Sequence, residues 1–345
     1  MTRTALLSSL AALLAPLALG ALAACGGEEP APLPPPPPPP PPATVEAPAP
    51  TASAAPAPTT PPTPAEPPAP AKPPAALTLG KDAGFSTPES ALYDAKNDVY
   101  IVTNINGGPS AADGNGYISR VSPDGTKVEA KWIEGGKKGV KLDAPKGTAI
   151  VNGTLYVADI TRLRMFDANK GTPRGEVALP GCTFANDVTA GPGGTIFVSD
   201  TGVTIDDKGV TPTHSDAVYV VDKGKAKVLA KGDDLGHPNG LLFANDKLWV
   251  VSFGSGEIFS LDKAGKKGDA QKLPKGQLDG IVAAGDAVYV SSWEGQGVYK
   301  GKPGGDWTLV IPGIKAPADI GFDSKRSRLL VPLFQDSGVE AYAAP

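Results

Sequence analysis

One apolar strand pattern recurs six times between residue 77 and residue 345. The copies are VYIVTN (99–104), LYVADI (155–160), IFVSDT (196–201), LWVVSF (248–253), VYVSSW (288–293) and LLVPLF (329–334). Segments rich in Gly, Asn, Asp and Pro separate them. Short β-branched and aromatic runs between turn-forming residues predict β-strands, and no stretch shows a sustained helical period. The pattern therefore predicts an all-β fold.

Each copy belongs to a larger repeating unit. A polar segment lies about ten to fourteen residues before it, and a third strand follows, such as EIFSLD (257–262). Most units add a weaker fourth run, such as WTLVI (307–311). Six units of about 45 residues with four strands each predict a six-bladed β-propeller. The last unit lacks its fourth strand, and we expect residues 77–79 to supply it and close the ring. A β-sandwich or barrel is the alternative, but it does not explain the sixfold repeat.

The polar segments begin the first strand of each unit. In a propeller these strands line the central channel, so their first residues lie together at one mouth. The residues at this position are Glu89, Lys146, Asn186, Asn239, Asp279 and Asp319. Five of them carry side-chain oxygens, the ligands that Ca²⁺ and similar cations take from proteins. The pattern therefore predicts a divalent-metal site. The alternative for any single residue is a turn former that satisfies nearby backbone groups.

The order of these motifs resembles the SMP-30/gluconolactonase family of six-bladed propellers, over essentially all of residues 77–345. The matching motifs are PES (88–90), AND (185–187), PNG (238–240) and LDG (278–280). The resemblance implies that Glu89, Asn239 and Asp279 hold a divalent cation, most simply Ca²⁺. It places Asn186 beside them, in contact with substrate or metal. It also implies hydrolysis of small lactones or esters, with Asp279 as general base as well as ligand.

The sequence departs from the family pattern at the mouth. Phe184 stands two residues before the Asn of the AND motif, where lactonases of this family place an arginine that binds a sugar acid. We therefore expect Phe184 to contact a less anionic, more apolar substrate. Lys146 adds a cation that either repels a metal or pairs with Asp319. The histidine dyad of the related paraoxonases has no counterpart, since His214 and His237 belong to different blades and are expected in loops.

Two insertions point to the same mouth. Residues 104–116 and 201–216 are long segments between the second and third strands of blades 1 and 3, and Trp293 and Glu294 lie in the shorter equivalent of blade 5. Binding residues concentrate on loops held by a rigid scaffold. We expect these loops to rim the ring, although variable surface loops are the alternative.

The first 24 residues have the layout of a secretory signal: a positively charged start and then an apolar run. The run ends in LAAC (22–25), which resembles the lipobox of bacterial lipoproteins. The resemblance implies cleavage before Cys25 and lipidation of its thiol, whereas an uncleaved anchor helix is the alternative. Gly26 follows the cysteine in place of an aspartate, so we expect the cell envelope, at the outer membrane, rather than retention in an inner membrane.

Residues 25–76 are predicted to form a disordered stalk. Their composition collapses to Pro, Ala and Thr, including an unbroken proline run at 34–42. Such a segment cannot bury enough apolar surface to fold and favours the extended polyproline II helix. At ~3.1 Å per residue, about 50 residues span up to ~150 Å. The stalk would therefore hold the propeller of residues 77–345 away from its lipid.

Charge and cysteine content narrow the functions further. The net charge of −4 gives no electrostatic basis for binding nucleic acid. Cys182 is the only cysteine besides Cys25, so no disulfide is expected, and Cys182 is read as a small buried apolar residue. We expect a monomer. Three hypotheses remain: a metal-dependent hydrolase, a propeller that binds an envelope ligand without catalysis, and a structural envelope protein.

Overall fold

The computed structural model describes residues 71–345. The predicted signal sequence, Cys25 and most of the predicted stalk lie outside the described residues. Six four-stranded antiparallel sheets and one inserted two-stranded hairpin make up this part of the chain, and most strands pair with their neighbours in sequence. Each sheet is one of the predicted units, and the β-propeller prediction is confirmed. Within residues 71–345, no helix is long and apolar enough to span a bilayer.

The first three blades follow the chain order from the inner to the outer strand. A short strand, β1 (Leu77–Leu79), precedes them. Blade 1 comprises β2 (Pro88–Asp94), β3 (Val99–Asn104), β4 (Tyr117–Val121) and β5 (Val128–Glu134). Blade 2 comprises β6 (Pro145–Val151), β7 (Thr154–Asp159), β8 (Arg162–Asp167) and β9 (Pro173–Ala178). Blade 3 comprises β10 (Ala185–Ala190), β11 (Ile196–Asp200), β14 (Ala217–Asp222) and β15 (Lys225–Lys231), with an inserted hairpin of β12 (Val203–Asp206) and β13 (Gly209–Pro212).

The last three blades repeat this order. Blade 4 comprises β16 (Pro238–Ala244), β17 (Lys247–Ser252), β18 (Glu257–Leu261) and a two-residue outer strand, β19 (Gln271–Lys272). Blade 5 comprises β20 (Leu278–Ala284), β21 (Ala287–Ser292), β22 (Gly297–Gly301) and β23 (Trp307–Pro312). Blade 6 comprises β24 (Gly321–Asp323), β25 (Arg328–Leu333) and β26 (Gly338–Ala343). Three short 3-10 turns, at Lys81–Ala83, Pro192–Gly194 and Asp233–Leu235, connect strands.

The ring closes through the chain's two ends, as predicted. Strand β1 pairs antiparallel with β26, with Leu77 opposite Ala341 and Leu79 opposite Val339. This pairing supplies the fourth strand of blade 6. It also covers the edge of β26, which would otherwise present unpaired backbone groups.

The hydrophobic core is divided into six clusters, one between each pair of adjacent blades. The cluster between blades 2 and 3, for example, includes Leu163 and Val177 from one sheet and Val188 and Val198 from the next. The other five clusters join the remaining pairs of neighbours in the same way. Because each blade buries both faces against its neighbours, the inner strands are held rigidly around one axis.

Candidate functional site

The six inner strands meet around the channel in ring order. Each of β2, β6, β10, β16, β20 and β24 contacts the inner strands before and after it. Blades 1 and 6 are joined directly: the Asp319 amide donates to Glu89 O (2.8 Å), and the Ala91 amide donates to Asp319 O (3.2 Å). The starts of the inner strands therefore lie at one mouth, as the repeat predicted.

A β-bulge occurs at the candidate residue in five of the six inner strands. The register shifts lie between Pro88 and Ser90, Pro145 and Thr148, Ala185 and Val188, Pro238 and Leu241, and Leu278 and Ile281. The motifs therefore lie within strands and not in the turns that the alternative interpretation required. A bulge leaves a residue outside the backbone ladder and redirects its side chain. Glu89, Lys146, Asn186, Asn239 and Asp279 each lie within such a bulge.

Hydroxyl groups on the second strand satisfy the freed backbone amides in alternate blades. The pairs are Ser90 N to Thr103 Oγ1 (2.9 Å), Asp187 N to Ser199 Oγ (2.8 Å) and Gly280 N to Ser291 Oγ (2.7 Å). A buried amide without a partner would cost about 1–3 kcal/mol. These hydroxyls therefore stabilise the irregular backbone that carries the site.

Four buried oxygens at the mouth have no hydrogen-bond donor within residues 71–345. They are Glu89 Oε2, Asn186 Oδ1, Asn239 Oδ1 and Asp279 Oδ1. Their residues are only 4–5% exposed. These are the four residues that the family resemblance assigned to the metal and its surroundings. Two carboxylates and two amides with free, buried oxygens fit a hard divalent cation, which would compensate the desolvation of all four.

The remaining atoms of these side chains are held in place. Trp293 Nε1 donates to Asp279 Oδ2 at 2.9 Å, so only Oδ1 of that carboxylate is free. Asn186 Nδ2 donates to Thr201 Oγ1 (2.9 Å), whose hydroxyl donates to Pro238 O (2.9 Å). This chain fixes which amide atom of Asn186 is the oxygen that lacks a partner. The ring is therefore preorganised by neighbouring blades.

Burial makes this mouth unfavourable for negative charge in the metal-free protein. Burial, with nearby Asp279 and Asp319 carboxylates, raises the pKa of Glu89 well above its usual value. Burial also raises the pKa of Asp279 to about 8, opposed by the Trp293 hydrogen bond. The pKa of Asp319 is likewise raised well above its usual value by burial and the neighbouring carboxylates. Without a cation, these carboxyl groups retain protons that isolated carboxyl groups lose.

No group of three or more His, Cys, Asp or Glu in the described part of the chain is arranged to hold a metal ion. The candidate set at the mouth has a different composition, since two of its four members are asparagines. A site of this kind depends on amide oxygens as much as on carboxylates.

Lys146 does not pair with Asp319. Its ammonium donates to Pro109 O (2.9 Å) and Ala144 O (3.0 Å) and lies 4.2 Å from the centroid of the Phe184 ring. Asp319 accepts instead from Ser90 Oγ at 2.6 Å. Burial lowers the pKa of Lys146, and the Glu89 carboxylate opposes this shift. The two carbonyls and the aromatic face are the direct partners of the ammonium, which also interacts electrostatically with the Glu89 carboxylate.

Phe184 lies beside Lys146. Its ring is buried, and its centroid lies 4.2 Å from the Lys146 ammonium. The predicted contact of Phe184 with a substrate stays a prediction.

Replacing Lys146 with methionine tests the effect of this cation. The change removes a positive charge beside the ring but leaves the Pro109 and Ala144 carbonyls without their donor. We expect Ca²⁺ to bind about 10-fold more tightly, which corresponds to about 1.4 kcal/mol. We also expect a loss of about 1–3 kcal/mol in the free energy of unfolding of the metal-free protein. Calorimetric titration and urea unfolding measure the two effects. Unchanged or weaker Ca²⁺ binding would show that Lys146 does not oppose the cation.

The two insertions meet above blades 1 to 3. The segment 201–216, expected as a loop, folds into the β12–β13 hairpin, and Ile205 N in this hairpin donates to Ser110 Oγ in the segment 104–116 at 2.9 Å. That second segment also supplies the Pro109 carbonyl to Lys146. The insertions therefore contact each other and the ring.

The two histidines have different partners, and His237 Nδ1 also lies 3.3 Å from Asp216 Oδ2. His214 is exposed and its Nδ1 lies 2.9 Å from Asp233 Oδ2. His237 Nδ1 lies 2.9 Å from the Thr201 carbonyl. The two imidazoles are thus engaged separately, in loops, as the sequence indicated.

Asp187 was not predicted from the sequence. Its carboxylate accepts from the Leu241 amide of blade 4 (2.6 Å) and from the Val188 amide (2.6 Å), so it joins two inner strands. The signal was present in the AND motif, of which only the asparagine was used.

Comparisons with known proteins give a fold likeness. No protein-family model matches the chain, and no curated protein sequence matches it. A gluconolactonase from Xanthomonas campestris superposes with a TM-score of 0.57 at 19% identity, covering 76% of this chain and 88% of that one. The calcium-binding protein regucalcin from Agrobacterium tumefaciens gives a TM-score of 0.53 at 16% identity, covering 77% and 92%. Virginiamycin B lyase from Staphylococcus aureus gives 0.52 at 16% identity, covering 77% and 97%. Residues 77–345 therefore form a six-bladed β-propeller of the fold that gluconolactonase and regucalcin share.

Proposed function

We propose that this propeller binds one divalent cation, most simply Ca²⁺, at the channel mouth and hydrolyses small lactones or esters there. The observation that carries the proposal is the set of four buried oxygens without donors, on the same four residues that the motifs singled out. The folds of a gluconolactonase and of a calcium-binding regucalcin support it.

The chain's own residues have distinct roles in this proposal. Glu89, Asn239 and Asp279 would hold the cation through their free oxygens, and Asn186 would orient the substrate or complete the ligand set. A bound divalent cation supplies Lewis-acid polarisation of a carbonyl group. Asp279 is held at Oδ2 by Trp293, and its Oδ1 has no hydrogen-bond donor among the described residues. It would accept the proton of an attacking water as general base.

The charge of the mouth favours a neutral substrate. Phe184 stands where the resemblance implies an arginine that binds a sugar acid, and the Lys146 ammonium is already engaged by two carbonyls and this ring. Among the side chains described at the ring, no arginine is present to bind an anionic substrate. We therefore propose uncharged lactones or esters in preference to sugar acid lactones.

A substrate panel with metal removal tests the hydrolase proposal. We expect uncharged lactones and esters to be hydrolysed by the Ca²⁺-loaded protein. Treatment with a chelator should remove this activity by a factor on the order of 10² or more, and added Ca²⁺ should restore it. Hydrolysis that survives chelation, in a protein shown to be metal-free, would contradict the proposed role of the cation. A sugar acid lactone serves as the comparison substrate and should be turned over more slowly.

The second candidate is a propeller that binds an envelope ligand without catalysis. The observation in its favour is Lys146, which replaces an oxygen donor with an ammonium in blade 2 of the ring. On this account any metal is structural. Glu89→Gln and Asp279→Asn would then leave ligand binding intact, whereas the hydrolase account requires loss of turnover.

We also propose that the protein is anchored in the cell envelope through a lipid on Cys25. The support is the LAAC motif after an apolar run, which lies outside the described residues. Replacing Cys25 with serine should prevent labelling by a radioactive fatty acid and move the protein from the membrane fraction to the soluble fraction. Unaltered labelling in the serine variant would overturn the assignment.

A further inference from the structure

Three aromatic side chains occupy equivalent positions in three consecutive blades. Phe253, Trp293 and Phe334 each follow the second strand of their blade, after β17, β21 and β25, on the face where the site lies. The ring centroids of Phe253 and Trp293 are 5.4 Å apart, and those of Trp293 and Phe334 are 5.0 Å apart. The three rings therefore form one continuous wall along blades 4 to 6, which we call the aromatic wall.

The aromatic wall touches the candidate metal ring directly. Trp293 Nε1 donates to Asp279 Oδ2 at 2.9 Å. The indole therefore shares a carboxylate with the proposed site. A small molecule bound next to the free Asp279 oxygen lies against or beside this indole.

The wall is partly exposed, unlike the aromatic rings of the core. Tyr100 and Tyr219, for comparison, are only 1% exposed. Phe253, Trp293 and Phe334 instead keep part of their surface accessible. Exposed aromatic rings grouped beside polar atoms are typical of ligand pockets, where apolar rings supply contact area and few polar groups fix orientation.

The two halves of the mouth differ in character. At the positions equivalent to the wall, blades 1 to 3 carry Ile105, Ile160 and Thr201 and no aromatic ring. That half also carries the two insertions and Lys146, which are bonded to one another. The mouth therefore has a polar, covered side and an aromatic side. The apolar part of a substrate matches only the aromatic side.

Space for a ligand adjoins the wall. A groove of about 280 Å³ lies between blades 4 and 5, lined by Phe253, Leu273, Pro274, Gln277 and Glu294, among others. Most of its lining is glycine and polar residues, and Phe253, Leu273 and Pro274 are its apolar members. A substituent that extends beyond the three rings of the aromatic wall can enter this groove.

We propose that the aromatic wall is a substrate subsite that binds a planar aromatic ring attached to the carbonyl compound. This narrows the substrate class to neutral lactones or esters that carry an aryl group. The hydrolytic part of the inference rests on the proposed function, whereas the binding of the aryl group does not. Aromatic pairs in offset or edge-to-face contact contribute beyond their buried area.

Equilibrium binding of two lactams tests the subsite without turnover. Lactams resemble lactones but resist hydrolysis, and 5-phenyl-2-pyrrolidinone differs from 5-methyl-2-pyrrolidinone in the aryl group alone. Isothermal calorimetry on the full chain should show the phenyl compound binding about 10-fold or more tightly. Equal affinities, or no binding of the phenyl compound, would overturn the proposal.

Matched leucine variants locate the preference. Phe253→Leu and Phe334→Leu keep apolar bulk and remove the rings, and each should reduce the phenyl preference by about 3- to 10-fold. Phe243→Leu is the control, because Phe243 stacks on Phe197 (6.0 Å) near the far end of inner strand β16. The preference should be unchanged in this control. A preference unaffected in both wall variants would also overturn the proposal.

The outcomes separate this subsite from the proposed function. If the protein neither binds Ca²⁺ nor hydrolyses esters but retains a wall-dependent phenyl preference, the subsite stands and the hydrolase proposal fails. If the protein is a Ca²⁺-dependent hydrolase that treats phenyl and methyl compounds alike, the subsite fails and the hydrolase proposal stands.

Discussion

Replacing Glu89 with glutamine is expected to abolish Ca²⁺ binding and turnover while leaving the metal-free protein as stable as before, or more stable. Glu89 is buried in a bulge of β2, and its Oε2 has no donor among the described residues. Burial and the neighbouring carboxylates of Asp279, Asp319 and Asp187 raise its pKa, opposed by the Lys146 ammonium, so the metal-free protein favours its protonated form more than an isolated glutamate would. Glutamine has nearly the same shape as the protonated acid and carries no charge. The substitution therefore removes a negatively charged metal ligand without creating a buried charge.

The expected size of this effect is large. Partners one step removed from a metal typically cost 10- to 100-fold in affinity, so losing a direct ligand should cost about 100-fold or more. Thermal unfolding with a chelator should give the same or a higher midpoint for Glu89→Gln than for the unmodified protein. Adding Ca²⁺ should raise the midpoint of the unmodified protein only. Glu129→Gln, the same change at an exposed position on β5, is the control and should keep the Ca²⁺ response. A Ca²⁺ response retained in Glu89→Gln would contradict the assigned ligand.

Stabilisation by Ca²⁺ is expected to grow as the pH rises. Burial raises the pKa of Asp279 from its usual 3.8 to about 8, and the Glu89 pKa is also raised. A carboxyl group whose pKa is higher in the folded state gives stability that is present below its unfolded pKa and lost as the pH rises through its folded pKa. The metal-free protein should therefore lose stability between about pH 4 and about pH 8, by about 1.4 kcal/mol per pH unit for each retained proton.

Ca²⁺ reverses this trend because it competes with protons for the same oxygens. Urea unfolding at about pH 5 and about pH 8, with and without saturating Ca²⁺, measures the difference. We expect little stabilisation by Ca²⁺ at the lower pH and stabilisation by several kcal/mol at the higher pH. Asp279→Asn should remove the Asp279 share of the pH dependence, leave that of Glu89 and Asp319, and remove the Ca²⁺ effect. A Ca²⁺ effect of equal size at both pH values would show that the cation does not bind at these carboxyl groups.

The fold was predictable from the sequence because it is repetitive. Each repeated strand has the same pattern of apolar residues, so the assignment of one strand applies to all six. The closing strand at residues 77–79 is also predictable, because the last unit lacks a fourth strand of its own. The exceptions are irregular pieces without a repeat. The hairpin inside 201–216 has no counterpart in other blades, and the outer strand of blade 4, Gln271–Lys272, is too short to leave a periodic signal.

The residues that form the candidate site were predictable from the sequence, whereas their hydrogen-bond partners were not. Their equivalent positions in the repeat predicted, from the sequence alone, that Glu89, Asn239 and Asp279 lie at one mouth of the channel. The partner of Lys146 could not be predicted, because its acceptors are backbone carbonyls at Pro109 and Ala144, and any residue offers one. The bulges were also hidden, since they depend on pairing between strands and not on residue type.

The three residues of the aromatic wall can be found in the sequence at the ends of three repeated strands. LWVVSF, VYVSSW and LLVPLF end in Phe253, Trp293 and Phe334, but a terminal aromatic residue is also a normal strand residue. Only the bond from Trp293 to Asp279 and the two ring contacts identify it as part of the mouth. Relations of this kind join different blades, so they become visible only in three dimensions.

Metal analysis of the purified protein, combined with calorimetric titration, tests the central claim most directly. The unmodified protein should bind one divalent cation per chain, and Asp279→Asn should bind none under the same conditions while keeping its fold by circular dichroism. A folded, unmodified protein that binds no Ca²⁺ or other divalent cation at neutral pH would contradict the claim that the four free oxygens at the channel mouth form a metal site.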